Sequence, residues 1–336
     1  MRKPLYAVLA ALFLGLLATL APAAHAADNG RWSVFPYAPE GAGPRPYFVL
    51  KADRGTVLKD TVVLSNLSDE PTTFTLYAAD AYNTPRDGGF AVRTKDVEPR
   101  YTGKWVELPK TEITLPPHKK VSVPFTLSIP NDATPGDHPG AIVALDQRVD
   151  ASSGAVGVGV QRAVAARIYL HVNGPLIPGL HVDDVTIRDS RPLLPGTGDS
   201  LAVIEYTLVN GGNTILRPRV TLKAEGLFGR TLLERELKKV PAELLPGERV
   251  RLTERWRGSP QLDWGEVRIA VSDRNGEPRA EGTAGFLYVP WLVAGVLLAA
   301  VGGAVTWFVH RRRQRRPAAR PARPAAREPE PETAST

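Results

Sequence analysis

The side chains able to do chemistry are few in this chain, and most of them stand alone. It has no cysteine, which removes a disulfide scaffold, a thiolate zinc site, an iron–sulfur cluster and a cysteine nucleophile together. Of six histidines, His25 lies in an N-terminal apolar segment and His310 adjoins a C-terminal one. His118 sits in a Pro-Pro-His-Lys turn, His171 closes a strand pattern and His181 opens one. The most suggestive pair is Asp137-His138, within Pro135-Gly136-Asp137-His138-Pro139-Gly140. Adjacent residues of a strand point to opposite faces, and no third group stands near to complete an acid–base set. The segment reads as a structural turn. Asp183-Asp184 lacks the glycine-containing acidic loop of a calcium site and reads as a solvated strand end. There is no G-x-S-x-G elbow, no H-E-x-x-H and no glycine-rich phosphate loop. The expectation is a non-enzymatic chain with no catalytic residue, no metal and no cofactor.

Recognition is the chemistry that remains. Aromatic side chains on loops offer stacking faces for sugars and anchors for proteins. The candidate ligand-binding residues are Tyr47, Tyr82, Asn83, Tyr101 and Trp105; Tyr82-Asn83 stands out because it precedes the loop Thr84-Pro85-Arg86-Asp87-Gly88-Gly89. Asn66-Leu67-Ser68 matches the glycosylation pattern, but Asn66 and Asn210 each follow a strand pattern and are expected to close turns with their side-chain amides.

The elements that must position these residues are strands. Lys120 to Ile129 alternates strictly, with Val121, Val123, Phe125, Leu127 and Ile129 on one face and polar residues or Pro124 on the other. Pro124 has no amide donor, so this strand belongs at an edge or carries a bulge. Further candidates are 47–51, 58–66, 72–79, 112–115, 140–148 and 160–172, the last two forming a long hairpin across a glycine-rich link. The pattern restarts after Asn173-Gly174-Pro175 with seven candidates at 180–188, 201–210, 217–224, 234–238, 249–256, 266–273 and 281–286, the count of an immunoglobulin-like sandwich. The halves echo each other: Val62-Val63-Leu64-Ser65-Asn66 resembles Tyr206-Thr207-Leu208-Val209-Asn210, and Leu115-Pro116-Pro117 resembles Leu245-Pro246-Gly247. The fold class expected is all-β, two consecutive immunoglobulin-like β-sandwich domains over residues 28–174 and 175–288. Each is long enough for a core without disulfides.

Two apolar segments flank this body. Arg2-Lys3, an apolar run to Leu20 and Ala24-His25-Ala26 together read as a signal peptide over residues 1–26. The second segment, residues 290–309, is free of charge and, from Trp291 to Val309, would be about 28 Å long as a helix, enough to cross the hydrocarbon core. Trp291 and Trp307 lie near its ends, where amphipathic rings favour the membrane interface. Arg311, Arg312, Arg313, Arg315 and Arg316 follow and hold that side in the cytoplasm, so residues 27–289 are expected outside in a single-pass type I arrangement. The proline-, alanine- and arginine-rich tail, residues 310–336, is too poor in apolar residues to fold. Gly295, Ala299 and Gly303 share one helix face and form a candidate packing seam. The net charge of +7 resides in the two ends: Arg2 and Lys3, and a tail with eight arginines and three glutamates. The body is neutral, which argues against nucleic acid as a partner.

The series Tyr47-Phe48-Val49-Leu50, Val62 to Asn66, Asp80-Ala81-Tyr82-Asn83, Ile129-Pro130-Asn131-Asp132-Ala133 and Pro135 to Ile142 resembles the N-terminal domain of WxL-interacting proteins, over about residues 32–173. These are Gram-positive surface proteins with a signal peptide, two β-sandwiches, one C-terminal transmembrane helix and a short basic tail. The resemblance implies a first domain that binds peptidoglycan and a protein that works with WxL-motif surface proteins. The Asn210-Gly211-Gly212-Asn213-Thr214 turn departs from it and is closer to generic bacterial immunoglobulin-like repeats. The functional expectation is a membrane-anchored cell-wall adaptor. The alternatives are a protein–protein assembly module that pairs exposed strand edges without binding glycan, and a wall hydrolase, for which paired acid–base candidates are missing.

Overall fold

The computed structural model describes residues 28–151, 159–190, 192 and 197–314. The segment expected to be a signal peptide, and the tail from Arg315 and Arg316 onward, lie outside the described residues. Among the described residues the fold is all-β apart from one short helical turn, one 3-10 turn and one long C-terminal helix.

In the first half the strands are β1 (Trp32–Pro36), β2 (Phe48–Ala52), β3 (Val57–Asn66), β4 (Thr72–Asn83), β5 (Phe90–Val92), β6 (Val106–Glu107), β7 (Glu112–Leu115), β8 (Lys120–Ser128), β9 (Gly136–Asp146), β10 (Asp150–Ala151), β11 (Gly159–Val160) and β12 (Ala163–Val172). The helical turn α1 (Thr102–Trp105) precedes β6. One sheet runs β1-β3-β8-β6; the other runs β2-β12-β9-β4-β5, with β7 also on β4. Their inner faces enclose a core that includes Trp32, Phe48, Phe74, Phe125, Leu127, Ile142 and Ile168. Alternation sets which residues enter: Val123, Phe125 and Leu127 of β8 are buried while Ser122 and Pro124 face out. Pro124 lies opposite Thr61 of β3, beyond the stretch where β6 pairs with Thr126 and Leu127. The strand is therefore an edge at its proline, and no bulge interrupts it.

The hairpin of β9 and β12 is antiparallel from Ala163↔Leu145 to Val172↔Gly136. β9 thus begins at Gly136, four residues before the expected start, and the expected turn at Pro135-Gly136-Asp137 is corrected to a strand end. Continued pairing with β12 draws those residues into the sheet, and Pro139 is accommodated just past the last β4 pair, Asp80↔Gly140. β2 joins β12 in parallel and ends the sheet.

The second half holds β13 (Leu180–Ser190), β14 (Leu201–Asn210), β15 (Pro218–Glu225), β16 (Thr231–Glu236), β17 (Arg249–Arg257), β18 (Asp263–Asp273) and β19 (Arg279–Tyr288), in sheets β13-β14-β17 and β16-β15-β18-β19. Its core is separate and includes Ile204, Tyr206, Val220, Leu222, Trp256, Val267 and Ile269. The echo between the halves is a repeated set of bonds. Asn66 donates from Nδ2 to the carbonyls of Glu70 and Leu115 while its Oδ1 accepts from the Ser68 amide. Asn210 does the same with Thr214, Leu244 and Gly212. The two backbone amides also match, donating to Lys119 and Glu248. Both asparagines are buried, so the Asn66 amide is spent inside the fold and closed to glycosylation.

After Pro290 the chain enters α2 (Trp291–Gln314), 24 residues with a charge-free stretch long and apolar enough to cross a membrane. It continues past Val309 through Arg311, Arg312 and Arg313, with Arg311 over the Trp307 ring at 5.0 Å. Gly295, Ala299 and Gly303 are exposed along its surface, and no residue of the helix is buried.

Candidate functional site

The two sandwiches meet through side chains that bond backbone, and this fixes two clefts between them. On one flank Asn83, at the end of β4, donates from Nδ2 to the Gly88 and Glu243 carbonyls at 2.7 and 2.8 Å and accepts the Leu245 amide at 2.8 Å. On the other flank Asp137, at the start of β9, accepts the Ile215 amide at 2.7 Å on Oδ2. Its other oxygen meets His171 Nδ1 at 2.7 Å. Asn213 donates to the carbonyls of Pro135 and Pro175 and accepts the Ile177 amide, tying the linker down. Gly136 and Gly212 are needed here: a β-carbon on Gly136 would strike Asn213, and one on Gly212 would strike the Ile177 carbonyl.

The larger cleft, about 1010 Å³, has Asp80, Arg93, Arg100, Tyr101, Lys104 and His138 on the first-domain side and Gly212, Asn213 and Leu245–Glu248 on the other. Asp80 shapes it. Its carboxylate accepts the backbone amides of Arg100, Tyr101 and Gly103, turning the chain into α1 and standing Tyr101 at the rim, half exposed. Beneath Tyr101 lie Trp105 and the buried His138, with ring centroids 5.0 Å apart. His138 Nε2 meets the Thr134 carbonyl at 2.7 Å, and burial holds the imidazole below its ordinary pKa, so the ring is neutral at pH 7. Arg100 and Lys104 are exposed with no ion-pair partner among the described residues. Arg93 lies 4.2 Å over the Tyr82 ring and 4.0 Å from Glu248, whose carboxyl is raised by burial.

The smaller cleft, about 500 Å³, is walled by Tyr47 just before β2, by Val49 and Lys51 on β2, by Tyr169 and His171 on β12, and by Ile215, Arg217 and Glu243 of the second domain. Tyr47 packs edge-on to Tyr169 at 5.6 Å, and Arg167 lies 4.3 Å over Phe90 beside them. Tyr169 donates to Glu243 at 2.8 Å, and burial pushes its phenol up to about 12. Val49 is 76% exposed, and the outer backbone edge of β2 has no strand partner among the described residues.

The five binding candidates therefore part company. Tyr101 and Tyr47 line different clefts, Tyr82 is covered by Arg93, and Trp105 is buried under Tyr101. Asn83 is buried and its amide is consumed in holding the domains together. Asp137 and His138 do point to opposite faces: Asp137 joins the interdomain contact and His138 the aromatic cluster. Sequence reasoning missed the junction role of Asp137, Asn213 and Glu243. Their partners in the opposite sandwich lie 74 to 160 positions away, and the only local signal was the density of Gly, Pro and Asn at 135–140 and 210–214. Among the described residues no cluster of three or more His, Asp or Glu could hold a metal.

No protein-family model matches the chain, and no curated protein matches it. Among solved structures, the class 5 fimbriae chaperone CfaA is 13% identical over 77% of this chain and 100% of its own, with a TM-score of 0.32. The CsuC–CsuE chaperone–tip adhesion subunit complex of Acinetobacter baumannii is 10% identical over 70% of this chain and 94% of its own, at 0.34. The CupB2 chaperone of Pseudomonas aeruginosa is 12% identical over 72% and 97%, at 0.27. Scores of this size describe a distant geometric likeness among β-sandwich chains and carry no information about what this one binds.

Proposed function

We propose that this chain is a non-enzymatic, membrane-tethered binding arm. Its two sandwiches stand outside the cell, and its interdomain clefts take an extended segment of another surface protein. The observation that carries this reading is the free outer edge of β2, which walls a cleft between the domains. An edge strand offers main-chain donors and acceptors at regular spacing, and an incoming peptide can extend the sheet by pairing with them. Val49 and Tyr47 supply apolar surface for alternate side chains of such a peptide. Anchoring by α2, with the arginine flank inside, would hold the clefts near the cell surface and raise the effective concentration of a partner tethered to the same surface.

Photocrosslinking in intact cells tests the reading. A crosslinker at Val49 should give adducts with a protein, while one at Ser122, on the opposite sheet, should not. Val49 adducts with wall glycan alone, or none at all, would overturn it.

A second reading keeps peptidoglycan as the ligand, in line with the resemblance to WxL-interacting proteins. The exposed Tyr101 ring beside Arg100 and Lys104 favours it: an aromatic face can stack on a sugar ring and free cations can meet the carboxylates of stem peptides. Tyr101→Ala should then abolish co-sedimentation of the protein with purified peptidoglycan and leave the Val49 adducts intact.

A further inference from the structure

The second sandwich has two ends, and they differ. The register of its strands puts Asn210, Asp273 and Arg279 at the end that meets the first domain, and Leu201, Glu225, Asp263 and Tyr288 at the other. That far end carries a group of exposed apolar side chains. Phe228 is 96% exposed, Leu262 68%, Leu287 61% and Trp264 55%. Trp264 and Leu287 are direct neighbours across β18 and β19, so their side chains share a face.

The backbone holds these residues out. Phe228 occupies the left-handed region at φ 58° within the 3-10 turn Leu227–Gly229, a strained conformation for a bulky residue. The buried carboxylate of Asp263 fixes the turn by accepting the amides of Leu227 and Trp264 at 2.9 Å each and pairing with Arg230 at 2.8 Å. A strained turn is thus clamped to the start of β18 so that a phenylalanine projects away from the protein.

Continuity of the chain says what lies there. Leu287 is four residues before Trp291, where α2 begins, so it lies within about 14 Å of the helix start even if the link is fully extended. Trp291, 74% exposed, marks the level at which an aromatic ring meets the headgroups. The far end of the second domain therefore faces the bilayer surface. Exposed Arg230 and Arg257 lie at the same end, where a lipid phosphate can be reached.

We propose that this end is a lipid-interface foot, with Phe228, Leu262, Trp264 and Leu287 seated among the headgroups and the upper acyl chains, so that the domain stands on the membrane in one orientation. The inference rests on α2 crossing the bilayer, as proposed above. It adds that the folded domain itself touches lipid.

The absence of cysteine makes the test direct. Single cysteines at Phe228, Leu262 or Leu287 in the full chain, reconstituted in lipid vesicles, carry a spin label, and collision with oxygen and with a water-soluble nickel complex is measured. Val57 on β3 serves as the aqueous reference and Leu298 within α2 as the lipid reference. The foot positions should lose nickel access relative to Val57 and keep oxygen access, with values between those of Val57 and Leu298. The double change Phe228→Asp and Leu287→Asp should return a label at Leu262 to the Val57 level, with the circular dichroism spectrum unchanged. Nickel access at Phe228 and Leu287 equal to Val57, with Leu298 still shielded, would overturn the foot and leave the anchor standing. A nickel-accessible Leu298 would overturn the anchor and the foot with it. Loss of both oxygen and nickel access at Phe228 would show a protein covering, such as a second copy, and would also overturn the proposal.

Discussion

Asn66 and Asn210 show how one side chain can close a turn and lock it to a distant segment. Each amide satisfies carbonyls that the strands leave behind, and each sits in a site closed to water. Removing the amide leaves buried carbonyls unpaired, a penalty of about 1–3 kcal/mol per group. Asn66→Ala and Asn210→Ala are therefore each expected to lose about 2–4 kcal/mol, the first from the N-terminal sandwich and the second from its neighbour. Denaturant titration followed by calorimetry would assign each loss to its own transition. His138 supplies a second prediction at this scale. Its folded pKa is lowered by burial, so below about 6.5 the unfolded chain takes up a proton that the folded ring accepts less readily. The stability it contributes is present above that pH and is lost as pH falls toward the folded value. His138→Phe keeps a ring against Trp105 and Tyr101 but orphans the Thr134 carbonyl. The variant should melt lower at pH 7 yet show a shallower decline in Tm between pH 6.5 and 5, as scanning calorimetry over that range would reveal.

At the scale of elements, the loop from Arg100 to α1 is held by one carboxylate. Asp80 lies in the C-terminal half of β4 and accepts the backbone amides of Arg100, Tyr101 and Gly103, which places Tyr101 at the cleft rim over Trp105 and His138. Asp80→Ala should cost about 2–3 kcal/mol, while Asp80→Asn, which keeps one acceptor oxygen, should cost less. In the alanine variant the Arg100, Tyr101 and Gly103 amides should exchange hydrogen faster, with the β9–β12 hairpin unaffected. The strands themselves were legible because alternation is local: β8, β14, β17 and β18 could be read from which residues repeat every second position. Other elements were not. β1 is a five-residue strand that ends in proline, and with four of its five residues buried it shows no alternation. α1 has only four residues and depends on Asp80, some twenty positions earlier. The parallel pairing of β2 with β12 spans more than a hundred residues, and no local pattern encodes it. The candidate aromatics were readable as a group but not by fate, since burial of Trp105 and exposure of Tyr101 are decided by which face of one short turn meets the core.

For the whole molecule the junction decides whether the clefts exist as shaped sites. The linker over residues 173–179 is short, yet a short linker alone would allow the sandwiches to pivot. Two contacts on opposite flanks prevent this. Asn83 bonds Glu243 and Leu245 on one side, and Asp137 bonds Ile215 on the other. A neutral hydrogen bond contributes about 0.5–1.5 kcal/mol net and a charge-assisted one about 1.5–3 kcal/mol, so either flank alone can still hinder rotation. Tyr169 bonding Glu243 supports the middle. The expected behaviour is consequently non-additive. Asn83→Ala should raise hydrogen exchange at the Leu245 amide only, and Asp137→Ala at the Ile215 amide only. The double variant should raise exchange at both beyond the sum of the singles and broaden the distribution of interdomain distances between labels at Val57 and Leu262. Each core should remain intact, because neither residue belongs to the apolar clusters. Ligand capture should fall in the double variant even though no residue at the β2 edge is altered, since a cleft with moving walls must be ordered at the moment of binding. If both amides stay protected and the distance distribution stays narrow, the domains are held by packing rather than by these two side chains, and the clefts are then a property of the rigid interface as a whole.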